Sequence, residues 1–385
     1  MRAAIVFPVL AALVVAACGT SSQTHAPKTD SPGSLVSQRA MGNLDSTLTA
    51  AMSSATYIRY RSTSPAGKPI EVSGAVFLPI GEPPPGGWPV IAFGHGTSGV
   101  VSACAPTNSP TLFGSAPTVA QLLAGHRAVV MTNYQGLDGP GDAPYLDTPS
   151  SGYDVLDSIR AARSTGLPLS PDAVLVGASQ GGRAAESAAE TVKSYAPELK
   201  FRGVVLLSPA LELQLVDTVR TGALKAPDQY LIIPYVVAAV RYSTPGYRYD
   251  QILHGDLLTA APHLEAHCAG NLTPADLALG VTATPAEARF VDDAAARPFI
   301  DLQSRTNLPQ SATPLPTYIV RGDADKLVDT AWSTAAIAKM CTLGTPVHDL
   351  TIPGGHDAPA TVTAQWLSWI DDLFADKPFP STCPR

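Results

Sequence analysis

Serine is a poor nucleophile at its free pKa, and it becomes a useful one when an imidazole takes its proton while a carboxylate holds that imidazole in the right tautomer. The chain offers such a set in the order Ser…Asp…His: Ser179 within Gly177-x-Ser179-x-Gly181, an acidic loop Asp323-Ala324-Asp325, and His356 in Pro353-Gly354-Gly355-His356-Asp357. A serine on a sharp strand-to-helix turn must adopt a strained backbone, and glycines two residues to either side relieve the crowding while the hydroxyl projects into an open site. The helix that follows presents free N–H groups and the positive end of its dipole to a developing oxyanion, with the N–H of Gln180 as one donor. A second donor is expected from the loop Gly94-His95-Gly96-Thr97-Ser98-Gly99, and it is assigned to Thr97. The chemistry these groups could perform is acyl transfer. A pattern like that around Ser179 arises by chance in on the order of one chain in ten of this size. Its place between an expected strand and an expected helix is what gives it weight.

The elements that must position these groups alternate. Apolar runs predict strands over Tyr57–Ser62, Pro69–Leu78, Val90–Phe93, Ala128–Thr132, Ala173–Val176, Val204–Leu207, Thr317–Val320 and Val347–Ile352. Helices are expected near Val119–Ala124, over Gly152–Arg163, Arg183–Tyr195 and Thr330–Leu343, and from about Thr361 to Phe374. Such alternation predicts an α/β fold with a mostly parallel sheet covered by helices on both faces, the first strands adding an antiparallel edge. Ser179, the acidic loop and His356 each follow a strand, and in an open α/β sheet adjacent strand ends converge on one crevice. The alternation fails from Leu211 to about Thr313, where apolar helical stretches, notably Leu231–Val240, predict a helical cap inserted above the sheet or a separate small domain.

With 385 residues, 45% of them hydrophobic, and a net charge of −7, the chain can bury a large core and lacks the basic cluster that a nucleic-acid partner requires. Met1–Ala17 is apolar after Arg2 but shorter than a membrane span, so it reads as an export signal. Val15-Ala16-Ala17-Cys18 resembles a bacterial lipoprotein processing site, which implies a lipidated Cys18 on the outer face of the cell membrane; the alternative is an ordinary signal and a secreted product. The polar Gly19–Ser37 that follows reads as a tether. The expected organisation is therefore a signal over 1–17, a lipidated N-terminus and tether over 18–44, a core over 45–210 and 314–385, and a cap over 211–313. Beyond Cys18 the cysteines number four, Cys104, Cys268, Cys341 and Cys383, and an oxidising setting makes two disulfides the default, with three connectivities open. No pair has C-x-x-C spacing, and neither a metal nor a cofactor is expected. His263 and His267 have the i, i+4 spacing of a helical metal pair, but with no Glu after His263 and no third ligand evident they read as cap surface or packing residues. His25, His95, His126 and His348 are weaker candidates for the base than His356: they lie in the tether, beside the expected oxyanion loop, before a strand and inside one.

Five segments in order, Tyr57-Ile58-Arg59-Tyr60-Arg61-Ser62, His95-Gly96-Thr97, Tyr134-x-Gly136-Leu137, Leu156-Asp157-Ser158-Ile159-Arg160-Ala161-Ala162 and Gly177-x-Ser179-x-Gly181, resemble the secretory lipases of bacteria and fungi, lipase-A-like α/β-hydrolases. The resemblance covers about residues 45 to 383 and includes a long helical insertion. It implies the α/β-hydrolase fold, an ester-cleaving triad of Ser179, Asp325 and His356, and disulfides joining Cys104 to Cys268 and Cys341 to Cys383. Asp325 is preferred to Asp323 because Gly322-x-x-Asp325-x-x-Val328 places it three residues past the glycine, as in many hydrolases of this fold. The substrate expected is an ester or lipid of short to medium acyl chain. A serine peptidase on the same fold and a non-catalytic binding protein are the alternatives, since fold does not fix function. The oligomeric state is not legible in the sequence.

Overall fold

The computed structural model describes residues 30–384 together with Met1. The export signal, Cys18 and the first part of the tether lie outside the described residues. One sheet contains β1 (Leu35–Ala40), β2 (Met52–Thr63), β3 (Pro69–Pro79), β4 (Trp88–Gly94), β5 (Ala128–Thr132), β6 (Leu169–Ala178), β7 (Lys200–Leu207), β8 (Thr317–Gly322) and β9 (Val347–Ile352). Their spatial order is β1-β2-β3-β5-β4-β6-β7-β8-β9. β1, β2, β3 and β5 pair antiparallel, and every pairing from β5 through β9 is parallel. The parallel strands read as unbroken apolar runs because both of their faces are covered.

The expected tether ends sooner than residue 44. Leu35–Ala40 forms β1, with Gln38 opposite Ile58, and Asp45 caps the short helix α1 (Ser46–Thr49). The strand was illegible because an exposed edge strand needs no apolar face, so Ser37-Gln38-Arg39 has the composition of a linker.

On one face of the sheet pack α3 (Thr148–Arg163), α4 (Gln180–Tyr195) and α11 (Thr330–Leu343), through Val155, Leu156, Ile159, Ala184, Ala188, Ala336 and Met340. The other face is covered by α2 (Ala116–Ala124) and α12 (Thr363–Phe374), through Val119, Leu122, Leu123, Trp366, Trp369 and Ile370. Small side chains let α3 and α4 approach closely: a Cβ on Gly152 would lie 2.5 Å from Ser187 Oγ. The helix α4 also buries Glu186 completely, and neither carboxylate oxygen finds a partner among the described residues. Burial pushes the Glu186 carboxyl up to about 8, with Glu190 adding to the rise. The folded state therefore keeps a proton that the unfolded chain has released, and stability falls as pH rises from the ordinary carboxyl range toward 8. Glu186→Met, which keeps the bulk and removes the charge, is expected to stabilise the protein on the order of 3 kcal/mol at pH 8 and much less at pH 4. Denaturant midpoints of parent and variant across that range test this; a gap that does not widen with pH removes the assignment.

Between β7 and β8 the chain forms α5 (Leu215–Thr221), α6 (Pro227–Leu231), α7 (Ile233–Ser243), α8 (Gly255–Ala266), α9 (Pro274–Thr282) and α10 (Asp293–Thr306). These helices share a core of their own, with Ile233, Val237, Val240, Leu253, Leu257 and Phe299 fully buried or nearly so. At about 1.5–3 kcal/mol for each large apolar side chain removed from water, that core is enough to hold short helices that would be marginal alone. Tyr145 and Val100, from loops of the sheet layer, belong to the same cluster, as do both cysteines of one disulfide. The cysteines pair as Cys104–Cys268, tying the loop after β4 to the helical region, and Cys341–Cys383, tying α11 to the C-terminal tail.

Candidate active site

The turn between β6 and α4 places Ser179 at φ 54° and ψ −117°, a left-handed conformation costly for any residue with a side chain. The surrounding backbone holds it there. Its N–H donates to the Leu207 carbonyl at 3.0 Å, and its own carbonyl accepts from Arg183 and Ala210 at 3.2 and 3.1 Å. The flanking glycines are required by contact distance: a Cβ on Gly177 would stand 2.0 Å from the Gly181 carbonyl oxygen, and one on Gly181 would stand 1.9 Å from that of Gly94. So β4, β6 and the first turn of α4 meet backbone against backbone beneath the serine.

His356 lies on the loop after β9, where Ser208 Oγ donates to its carbonyl at 2.7 Å. Its Nδ1 meets Asp325 Oδ2 at 2.7 Å, an N–H donor to a carboxylate, which leaves Nε2 to accept a proton. Asp325 is almost fully buried, and its Oδ1 accepts from the N–H groups of Leu327 and Val328, both at 3.0 Å. Asp323 does different work: its Oδ1 accepts from Gly354 N at 3.0 Å and ties the acidic loop to the histidine loop. Ser179, His356, Thr97 and Gln180 all line one cavity of about 630 Å³. Gln180 is the first residue of α4, where an N–H has no preceding turn to bond. The Thr97 side chain is held by the Tyr145 hydroxyl at 2.8 Å, and Gly96 passes close to Ser179, so that a Cβ there would sit 3.8 Å from the serine Cβ.

The other histidine near the site cannot serve as the base. His95 is buried, its Nδ1 is 2.7 Å from the Gly96 carbonyl, and its ring lies 4.4 Å from that of Tyr134. Burial pulls its pKa down to about 4, so it remains a neutral prop for the loop.

The apolar run Leu231–Val240 is not one continuous wall. It breaks into the end of α6 and most of α7; Leu231, Ile232, Tyr235 and Val236 reach the cavity, while Ile233, Val237 and Val240 turn into the core of the helical region. Periodicity explains the split, since residues on opposite sides of a helix cannot face one site. Leu213, Leu272, Leu277 and Trp332 add to the apolar lining. Two carboxylates also line the cavity, Asp228 and Asp357, where the sequence offered no evident acidic group to read an amine.

Sequence reasoning missed Arg183. Fully buried on the helix that begins beneath Ser179, its guanidinium donates to the carbonyls of Leu146, Ala210, Leu211 and Thr306 at 2.6–3.2 Å, and also to Thr306 Oγ1 and Asn307 Oδ1. One cation thus gathers both ends of the helical region against the helix that follows Ser179. Burial lowers its pKa to about 10, which leaves it charged at neutral pH. The only local signal was a lone arginine in the run Gln180-Gly181-Gly182-Arg183-Ala184-Ala185.

Among solved structures, the fold is similar to a rice cell wall degrading esterase, LipA, from Xanthomonas oryzae, with TM-score 0.70 and 20% identity over 90% of this chain and 100% of that one. It is also similar to Candida antarctica lipase A in its closed state, with TM-score 0.71 and 17% identity over 92% and 85% of the two chains. At such identities the likeness is one of fold. A curated Mycobacterium tuberculosis relative, named as a probable inactive lipase, is 32% identical over 204 residues, which are 50% of this chain and 44% of the relative. The match therefore spans less than half of that relative's length. The secretory lipase family model matches residues 115–382, a stretch that holds the turn bearing Ser179 and the loops bearing Asp325 and His356, and the chain belongs to that family.

Proposed function

We propose that the protein is a serine hydrolase of carboxylic esters. The observation that carries the reading is His356, bonded to Asp325 at 2.7 Å, sharing one apolar-lined cavity with a serine held at φ 54°. Ser179 Oγ attacks the acyl carbonyl carbon while His356 Nε2 takes the hydroxyl proton. Asp325 keeps the Nδ1–H tautomer and steadies the imidazolium. The N–H groups of Thr97 and Gln180 receive the oxyanion. The imidazolium then gives its proton to the leaving alcohol, and a water activated by the same imidazole hydrolyses the acyl-enzyme.

Leu213, Leu231, Ile232, Val236 and Leu277 suit an acyl chain. Each methylene that fits is expected to add about 0.8 kcal/mol, roughly fourfold in kcat/KM, until the cavity is full, so activity along an ester series rises and then levels at short to medium chains. A second reading has one observation in its favour: Asp228 and Asp357 could receive a substrate ammonium, as an aminoacyl or peptidyl amide hydrolase would need. Comparing p-nitrophenyl acyl esters with aminoacyl and peptidyl amides decides between them. Amide turnover equal to ester turnover favours the peptidase. No turnover, with no fluorophosphonate adduct at Ser179, leaves a binding protein and places this chain with its relative of inactive name.

Family membership and two disulfides support export, and we place the protein on the outer face of the cell membrane through a lipidated Cys18. Cys18→Ser is expected to release it; identical detergent partitioning of parent and variant refutes the anchor.

A further inference from the structure

We propose that His263, His267 and Asp276 bind a divalent transition metal of the zinc class on the outer side of the cavity wall. The i, i+4 spacing sets the two imidazoles on one side of the C-terminal end of α8, their ring centres 4.0 Å apart. What the sequence lacked was a third ligand, and the fold supplies it from the first turn of α9: one donor atom from each of the three residues lies within 4.8 Å of the others. Asp276 Oδ1 stands 3.2 Å from His263 Nε2. Two ligand atoms bound at about 2.0–2.1 Å to a tetrahedral ion stand about 3.3 Å apart, so this pair is already at ligand spacing.

The outer partners fit as well. His267 Nδ1 is 2.9 Å from the His263 carbonyl, to which it can only donate, and this leaves Nε2 with the lone pair that a metal takes. Asp276 is buried, and its Oδ2 accepts from Thr273 N and Oγ1 at 2.8 and 2.7 Å, which aims Oδ1 outward. An ion pair would account for His263 and Asp276 but not for a second imidazole tilted against the first with its ring centre 4.0 Å away, whereas a cation uses both lone pairs. Two nitrogens and one oxygen suit zinc, cobalt, nickel or copper and not calcium or magnesium, which take oxygen ligands in larger number. Three protein ligands leave a position for water.

The ion would act as a staple. Between His267 and Asp276 runs the segment that gives Ala269, Gly270 and Leu272 to the cavity, and Leu277 follows at once. Cys268 already ties one end of this segment to the loop after β4, and the metal would fix the other end through α9.

The test uses the metal-stripped full chain without a histidine tag, titrated with Zn²⁺ in a calorimeter and followed by thermal unfolding. One equivalent should bind and raise Tm by about 3 °C at a hundredfold excess over Kd. His263→Asn, at an exposed position where folding is not at risk, should weaken binding at least about tenfold and abolish the Tm rise, as should His267→Asn and Asp276→Asn. Mg²⁺ at the same concentrations should do neither. Absence of a binding isotherm overturns the proposal, and so does full stoichiometry with unchanged Kd in His263→Asn, which would put the ion elsewhere.

Discussion

Ser179→Ala is expected to lower kcat for ester hydrolysis by on the order of 10⁶ while leaving the fold intact. In the proposed mechanism, a methyl side chain in place of hydroxymethyl removes the oxygen that would form the acyl-enzyme, and His356 and Asp325 lose their purpose with it. The Thr97 and Gln180 N–H groups survive the change, and catalysis above the rate in water by about 10³–10⁴ should remain. Stability supplies an independent readout. The φ of 54° strains alanine as it strains serine, but glycine adopts it freely, so Ser179→Gly should be equally inactive and more stable than the parent by about 1 kcal/mol or more. The measurements are kcat on one chromogenic ester and Tm for all three proteins. Parent-like turnover in Ser179→Ala would remove the serine from the reaction altogether.

Asp325→Asn is expected to cost about 10⁴ in kcat. Asparagine keeps the shape, and its carbonyl oxygen can still accept from Leu327 N and Val328 N, so the loop should hold its place. The group facing His356 Nδ1 then becomes an amide N–H₂, a donor where an acceptor stood, and the imidazole must turn to the tautomer whose Nε2 carries hydrogen. It can no longer take the serine proton. Asp323→Asn serves as the control, because Asp323 contacts Gly354 N and not the imidazole; the asparagine oxygen can still accept from Gly354 N, so the loss should stay below about tenfold, the most that a single exposed hydrogen bond worth about 1 kcal/mol could cost. If Asp323→Asn proves the more damaging of the two, the roles of the acids are reversed.

Both variants keep the hydrogen bonds that hold their loops, which separates chemistry from folding. The loops themselves depend on close backbone contacts. A Cβ on Gly322 would stand 2.2 Å from the carbonyl oxygens of both Gly354 and Gly355, so the strand end that carries Asp325 and the loop that carries His356 can meet only where side chains are absent. The glycines of the sequence marked these positions as loops without saying which loops touch.

By itself the sequence determined what is local. Strand and helix follow from the spacing of apolar residues over a few positions, and the order Ser179, Asp325, His356, each just past a strand, follows from the alternation of those elements. Tertiary structure alone decided what depends on neighbours distant in the chain. β1 exists because β2 offers it a partner, although its own residues have no apolar face. The run Leu231–Val240 divides between cavity and core because helix packing gives its two sides different surroundings. Arg183 can be buried because carbonyls from residues 146, 210, 211 and 306 gather around its charge. Asp276 becomes a candidate third ligand to a histidine pair only where α8 and α9 pack. In each case the energy comes from contacts between segments from about ten to more than a hundred residues apart, which no local pattern of residues encodes.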